Sequence, residues 1–470
     1  MKKGYLRGFI LILFSYFMLN LIFFQFIYGV VEIKDSIIYP ENVDISSLTR
    51  NIVNEVIELP NNEILTYSFE IDFDSDSNKK EIVSNLQKDI IERLDGILTI
   101  TPAVQTVITG DLVSMTIKPY YLENNDYDVI LDNLIKEAKT KKTDTEKIYV
   151  LANYMYQNNF KYAYDDNIEF PNIGTSKIIE NKNCMPDGVL LRKKGICEGY
   201  ANLMTDFCTK LDIPCIKLRG YNQEGGYHAW NMLFIENDNS FAWYCVQPLV
   251  SMHKLNNPRL IQVPNIYKEN EKMSWDENLE KDIINIKYTD LDLEIIKNRN
   301  CFKDIDNSWA KYDIIKLYLK GMVSGYSDNT FRPNSNITIA EFLKIVLKPY
   351  MDDSNVLIEN TWWESSYYYA LDNGIITEEL FPKESLFENI TREEMAYIFV
   401  RIDEILNNSD KIEVPMDFSI IDESEISECF KESVYQCYLK GFMTGIDLEC
   451  TFSPKSNATR AQVAVILNRM

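Results

Sequence analysis

Three segments near the C-terminus constrain this chain more than any other feature. "KGMVSGYSDNTFRPNSNITIAEF", "DNGIITEELFPKESLFENITREEM" and "KGFMTGIDLECTFSPKSNATRAQV" each run from a helix end at glycine, through an aromatic loop with proline, into a helix opened by threonine. Thr338, Thr391 and Thr459 suit N-caps, because a hydroxyl can accept from the unpaired N–H groups of a first helical turn. Glu341, Glu394 and Gln462 stand three residues on, the spacing of a reciprocal capping box. Units of about 50 residues with this pattern cannot bury their apolar faces alone and must stack. Residues 301–470 are therefore expected to form an all-helical body of three repeats, at 301–350, 351–416 and 417–470.

A chain of 470 residues is too long for one hydrophobic core, so further domains precede the repeats. With 71 acidic against 48 basic side chains the net charge is −23, which repels nucleic-acid phosphates and argues against a nucleic-acid partner. The nine cysteines contain no C-x-x-C, and the two histidines, His228 and His253, show no paired-ligand spacing. No metal or other cofactor is expected. At the N-terminus Lys2, Lys3 and Arg7 precede an apolar run, Gly8 to Val31. At about 1.5 Å per residue that run can cross roughly 30 Å of hydrocarbon, and its basic flank predicts export of everything that follows. Residues 1–31 are expected to be a membrane anchor in contact with the bilayer; a cleaved signal peptide is the rival reading, with only a weak site at Ile27-Tyr28-Gly29.

Residues 32–125 read as a small α+β module. Leu65, Tyr67, Phe69, Ile71 and Phe73 alternate with polar residues, as in a half-buried strand, and Val113, Met115 and Ile117 alternate again. Between them Asn78 and Glu81 have capping-box spacing, and Ile82, Leu86, Ile90 and Leu94 recur every four residues on one helical face. The acidic "DFDSDSNKKE" lacks the glycine and closing glutamate of a calcium loop and reads as a solvated turn. No chemistry is visible in this module.

Residues 126–262 carry the chemical signals. Thr143 and Glu146 open a helix whose Ile148, Leu151, Ala152 and Met155 form an apolar stripe. Cys197 stands where the next helix begins, ahead of the stripe Ala201, Met204, Cys208 and Leu211 and the stop at Pro214. Unpaired N–H groups and the helix dipole favour thiolate at such a position. In "YHAWNMLFIENDNSFAWYCVQP" two strand-like runs flank a polar turn. If the turn is Asn237-Asp238, residues summing to 475 oppose one another and His228 faces Gln247; a four-residue loop instead pairs His228 with Leu249.

"GICEGYANL", "LDIPCIKLRGY", "HAWNML" and "WYCVQP" resemble the successive motifs of the transglutaminase-like superfamily. That resemblance implies a papain-type fold, with Cys197 on a helix packed against an antiparallel sheet as nucleophile and His228 as general base. Its chemistry would be acyl transfer through a Cys197 thioester, resolved as hydrolysis or as transamidation, on surface protein or peptidoglycan peptide. Where the family usually carries Asp, this chain has Gln247. An amide can fix the imidazole tautomer but cannot neutralise an imidazolium, so a degenerate site kept as a wall-bound scaffold or adhesin is the alternative.

The C-terminal repeats are similar to S-layer homology domains, which hold exported proteins to secondary cell-wall polysaccharide. The matching residues are the Thr-Arg helix starts, the Gly-x-x-x-Gly segments at 321–325 and 441–445, and Trp309. The resemblance implies that Arg392 and Arg460, with Trp309 and Trp363, line grooves for an acidic sugar; the first repeat has Ile339 in place of the arginine. The expected whole is an α+β multidomain protein on the surface of a Gram-positive-type bacterium, with 263–300 as a linker between the catalytic domain and the wall-binding repeats.

Overall fold

Leu65, Tyr67, Phe69 and Ile71, the alternating residues of the first module, are all buried in the computed structural model. It describes residues 30–40, 45–58, 64–72, 76–100, 102–109, 111–118, 124–163, 181–222, 225–237, 240–246, 261–351, 361–415, 418–447 and 451–469. These fall into two compact units that divide between Asp290 and Leu291.

The first unit opens with β1 (Val30–Pro40), α1 (Ile45–Ile57), β2 (Ile64–Asp72), α2 (Asp76–Ile97), β3 (Ala103–Thr109) and β4 (Leu112–Lys118). The strands form one sheet in the order β1-β2-β4-β3, with β1 parallel to β2 and the other pairs antiparallel. Val30 and Val31 belong to β1, so the anchor expectation is confined to residues 1–29, which lie outside the described residues. Among the described residues no helix is long and apolar enough to cross a membrane. Helix α2 buries Leu86, Ile90 and Leu94 as the spacing predicts, but it starts at Asp76, so Asn78 lies inside it rather than capping it. The segment 74–78 consists almost wholly of residue types that cap well, and spacing alone could not choose among them.

There follow α3 (Asn125–Lys139), α4 (Asp144–Gln157), β5 (Lys161–Tyr162), α5 (Pro186–Arg192), β6 (Lys194–Gly195), α6 (Cys197–Thr209), β7 (Cys215–Tyr221), β8 (Tyr227–Asn237), β9 (Ser240–Val246), β10 (Ile261–Gln262), α7 (Pro264–Glu271) and α8 (Glu277–Lys287). Thr143 and Glu146 form the expected capping box on α4. The second sheet runs β10-β9-β8-β7 and is covered on both faces. Cys215, Leu233, Ile235, Tyr244 and Val246 pack with α3, α4 and α6. Ile216, Leu218, Trp230, Met232 and Cys245 share a core with the first sheet and α2. Tyr267, Met273 and Ile283 complete that core, so most of the segment read as a linker is helical structure of the first unit. Its short polar helices hide this in sequence, because each contributes only one or two buried residues.

The second unit contains most of α9 (Asp290–Lys297), then α10 (Lys311–Leu319), α11 (Ile339–Leu347), α12 (Glu364–Asp372), α13 (Arg392–Leu406), α14 (Lys431–Leu439) and α15 (Arg460–Leu467). Thr338, Thr391 and Thr459 each cap a helix through a complete capping box. Gly321, Gly374 and Gly441 follow three other helices with φ near +70°, a left-handed turn that only glycine adopts freely. Isolated bridges tie the three cap regions to one another: Asn336 to Thr459, Thr338 to Asn389, and Thr391 to Asn457. One continuous core runs through the unit.

Candidate active site

Cys197 is the first residue of α6, preceded by the extended Ile196, and is 1% exposed. A Cβ on Gly199, within the first turn, would lie 2.2 Å from the Asn183 carbonyl oxygen, so this start of the helix requires glycine. Around the sulfur stand the N–H groups of Ala229 and Glu198 and the hydroxyl of Tyr162, all of which favour thiolate. Burial, reinforced by the Glu198 carboxylate, outweighs them and pushes the thiol up. This reverses the expectation from the helix dipole: the resting group is a thiol, because dipole and donors act weakly compared with the loss of water.

His228 immediately precedes Ala229 on β8. Its ring stacks on Trp230, with centroids 6.3 Å apart, and burial pulls its pKa down to about 4. At neutral pH it is an uncharged imidazole, able to accept a proton. The described pairing of β8 with β9 stops at Asn231↔Val246, short of His228 and Ala229. The described pairing runs to Asn237↔Ser240, and opposed residues sum to 477, as in Met232↔Cys245, so the 475 register is corrected. A slip of two leaves every side chain on its predicted face, which is why the pattern could not detect it. Gln247 lies outside the described residues.

Beneath the thiol sits a buried ion network that sequence reading missed. Lys217 Nζ lies 2.7 Å from Glu198 Oε1 and 2.9 Å from Asp95 Oδ1, and donates to Asn202 Oδ1 at 2.6 Å. Arg219 Nη2 lies 2.7 Å from Asp95 Oδ1 and 2.8 Å from Glu198 Oε1, and its Nε donates to Glu198 Oε2 at 3.1 Å. Burial opposes ionisation of Glu198, yet Arg219 and Lys217 hold its carboxyl well below the usual range. Two charged residues in the strand "CIKLRGY", both facing the helix side of a sheet, were the available signal.

In the second unit the guanidinium of Arg392 donates to the carbonyls of Phe452 and Thr444, and that of Arg460 to Phe331 and Ser324. Each arginine thus reaches from its own helix start into another repeat. Each also lines a cleft of about 280 Å³, Arg392 with the exposed Trp309 and Arg469, and Arg460 with Tyr326, Lys344, Lys348 and Trp362. Trp363, expected in a groove, is buried in the core, and its neighbour Trp362 lines the cleft instead. The choice between adjacent tryptophans depends on helix rotation, which the motif does not specify.

Residues 132–248 match the family profile of the transglutaminase-like superfamily, and residues 302–343 that of the S-layer homology domain. The chain therefore carries a transglutaminase-like domain and an S-layer homology domain. Curated relatives include the exoglucanase XynX of Acetivibrio thermocellus, 30% identical over 37% of this chain and 16% of its own length. The amylopullulanase of Thermoanaerobacterium thermosulfurigenes is 30% identical over 35% of this chain and 9% of its own. The chain thus spans less than a fifth of either relative. Among solved structures, a TGase aligns over 52% of this chain and 72% of its own at 14% identity and a TM-score of 0.23. The periplasmic domain of TgpA from Pseudomonas aeruginosa aligns over 32% and 66% at 15% identity and a TM-score of 0.20.

Proposed function

We propose that this is an exported surface protein in which Cys197 carries out thiol acyl transfer, held at the cell wall by three S-layer homology repeats in its second unit. The observation that supports the catalytic part most directly is the sulfur at a helix start, bonded to the N–H of Ala229, the residue that follows the neutral His228 on β8. His228 takes the thiol proton as the sulfur attacks a carboxamide or peptide carbonyl, avoiding a free thiolate in a buried site. The Glu198 N–H and Tyr162 hydroxyl are the donors available to the developing oxyanion. The imidazolium then protonates the departing amine, and water, the default acceptor, hydrolyses the thioester; a second amine would give transamidation. The substrate class is surface protein or peptidoglycan peptide.

Alkylation tests this reading. Iodoacetamide should modify Cys197 of the native full chain faster than the other eight cysteines, and His228→Ala should slow it about tenfold or more, a usual range for loss of a general base. Equal rates at all nine, unchanged by His228→Ala, would leave the wall-bound scaffold, which the amide at Gln247 favours.

Wall attachment is supported by the two clefts, where arginine and tryptophan combine as acidic-sugar recognition needs. The full chain should pellet with purified wall sacculi, and not with sacculi stripped of anionic polysaccharide. Trp309→Ala with Trp362→Ala should weaken pelleting at least about tenfold, as the loss of two aromatic anchors does elsewhere. Undiminished pelleting by that variant would refute the groove assignment.

A further inference from the structure

Asp95 belongs to the first module, more than a hundred residues before the thiol and in a segment whose sequence shows no chemistry. It is 2% exposed, in the last turn of α2, and its carboxylate meets both Lys217 and Arg219. The approach is close: a Cβ on the adjacent Gly96 would fall 2.5 Å from Ile283 and 3.1 Å from the Lys217 carbonyl oxygen. Helix α2 thereby packs against β7, the edge strand of the second sheet. Asp95 and Glu198 together balance Lys217 and Arg219, two charges of each sign, three of them on buried side chains and the fourth, Arg219, at the edge of a cleft. Glu198 is the anchor that joins this network to the reaction. It follows Cys197 in the chain, its side chain is fixed by both cations, and its backbone N–H bonds the sulfur.

We propose that Asp95 is a positioning residue of the thiol site: by closing the ion network it fixes Glu198, and through Glu198 the first turn of α6 and the sulfur it carries. The first module is then a working part of the acyl-transfer domain. This rests on the reading of Cys197 as nucleophile. Without Asp95 the network gains a net positive charge, and Lys217 and Arg219 compete for one carboxylate, dragging Glu198 from its place.

The test is the pH dependence of Cys197 alkylation by iodoacetamide in the native full chain, read by peptide mass spectrometry. The groups facing the sulfur are Glu198 on α6, Tyr162 on β5, Cys184 before α5, Tyr227 on β8 and Tyr267 on α7, with His228 beside Ala229. None is altered in Asp95→Asn. The added positive charge should move the alkylation midpoint to lower pH by about half a unit or more, and displacement of the helix start should lower the limiting rate about tenfold. Asp95→Glu should restore both. If Asp95→Asn does not fold, Asp95→Leu with Lys217→Met removes one charge of each sign and should show the same loss of limiting rate. A foldable variant lacking the Asp95 carboxylate, with limiting rate and midpoint both as in wild type, would overturn the proposal. The acyl-transfer reading is judged separately, by whether wild-type alkylation depends on His228.

Discussion

Replacing Glu198 with alanine should lower the unfolding free energy of the first unit by about 3–5 kcal/mol, the range for breaking a buried ion cluster by removing one partner. The residue is 6% exposed and contacts both Lys217 and Arg219. The truncation leaves the buried Lys217 and the half-buried Arg219 facing Asp95 alone, and a methyl group cannot satisfy the donors it uncovers. Contrast comes from Lys88→Ala, which removes the largely solvent-exposed pair with Glu92 and should cost no more than about 0.5 kcal/mol. Urea unfolding of the full chain measures both. A Glu198→Ala loss below about 1 kcal/mol would mean that the cluster is hydrated or loosely held.

His228 predicts an acid-sensitive fold. Its folded pKa of about 4 lies below the ordinary value of 6.5. Above pH 6.5 neither state holds the proton. Between 6.5 and 4 the unfolded chain binds it while the folded chain does not, so stability falls with pH through this window; below 4 both bind it and the loss is complete. The whole shift corresponds to roughly 3 kcal/mol. Measured from pH 7 down to pH 4, wild type should lose about that much unfolding free energy relative to His228→Gln. A flat difference would place the imidazole in water, removing its support for the base role. The same depression keeps the base form available at neutral pH.

Local pattern was enough for local structure. The threonine caps and their partners at Glu341, Glu394 and Gln462 form as spacing predicts, because a capping box joins groups only three residues apart. The helix start at Cys197 was legible for the same reason, as were the alternating faces of β2 and β8. Register was not, since a two-residue slip preserves every face and only turn geometry separates the two pairings. The linker reading of 263–300 failed because Tyr267, Met273 and Ile283 are too sparse to show a period, although together they seal one face of a sheet.

The sequence by itself determined the capped repeats, the strand faces, and the placing of a cysteine and a histidine on a helix and a strand, all of them properties of residues close along the chain. Only the tertiary structure decided that Asp95 meets Lys217 and Arg219 next to that cysteine, and that the cysteine rests as a thiol. Ion pairing across a hundred residues and the loss of water around a sulfur depend on which surfaces close over one another, and no short-range pattern encodes that.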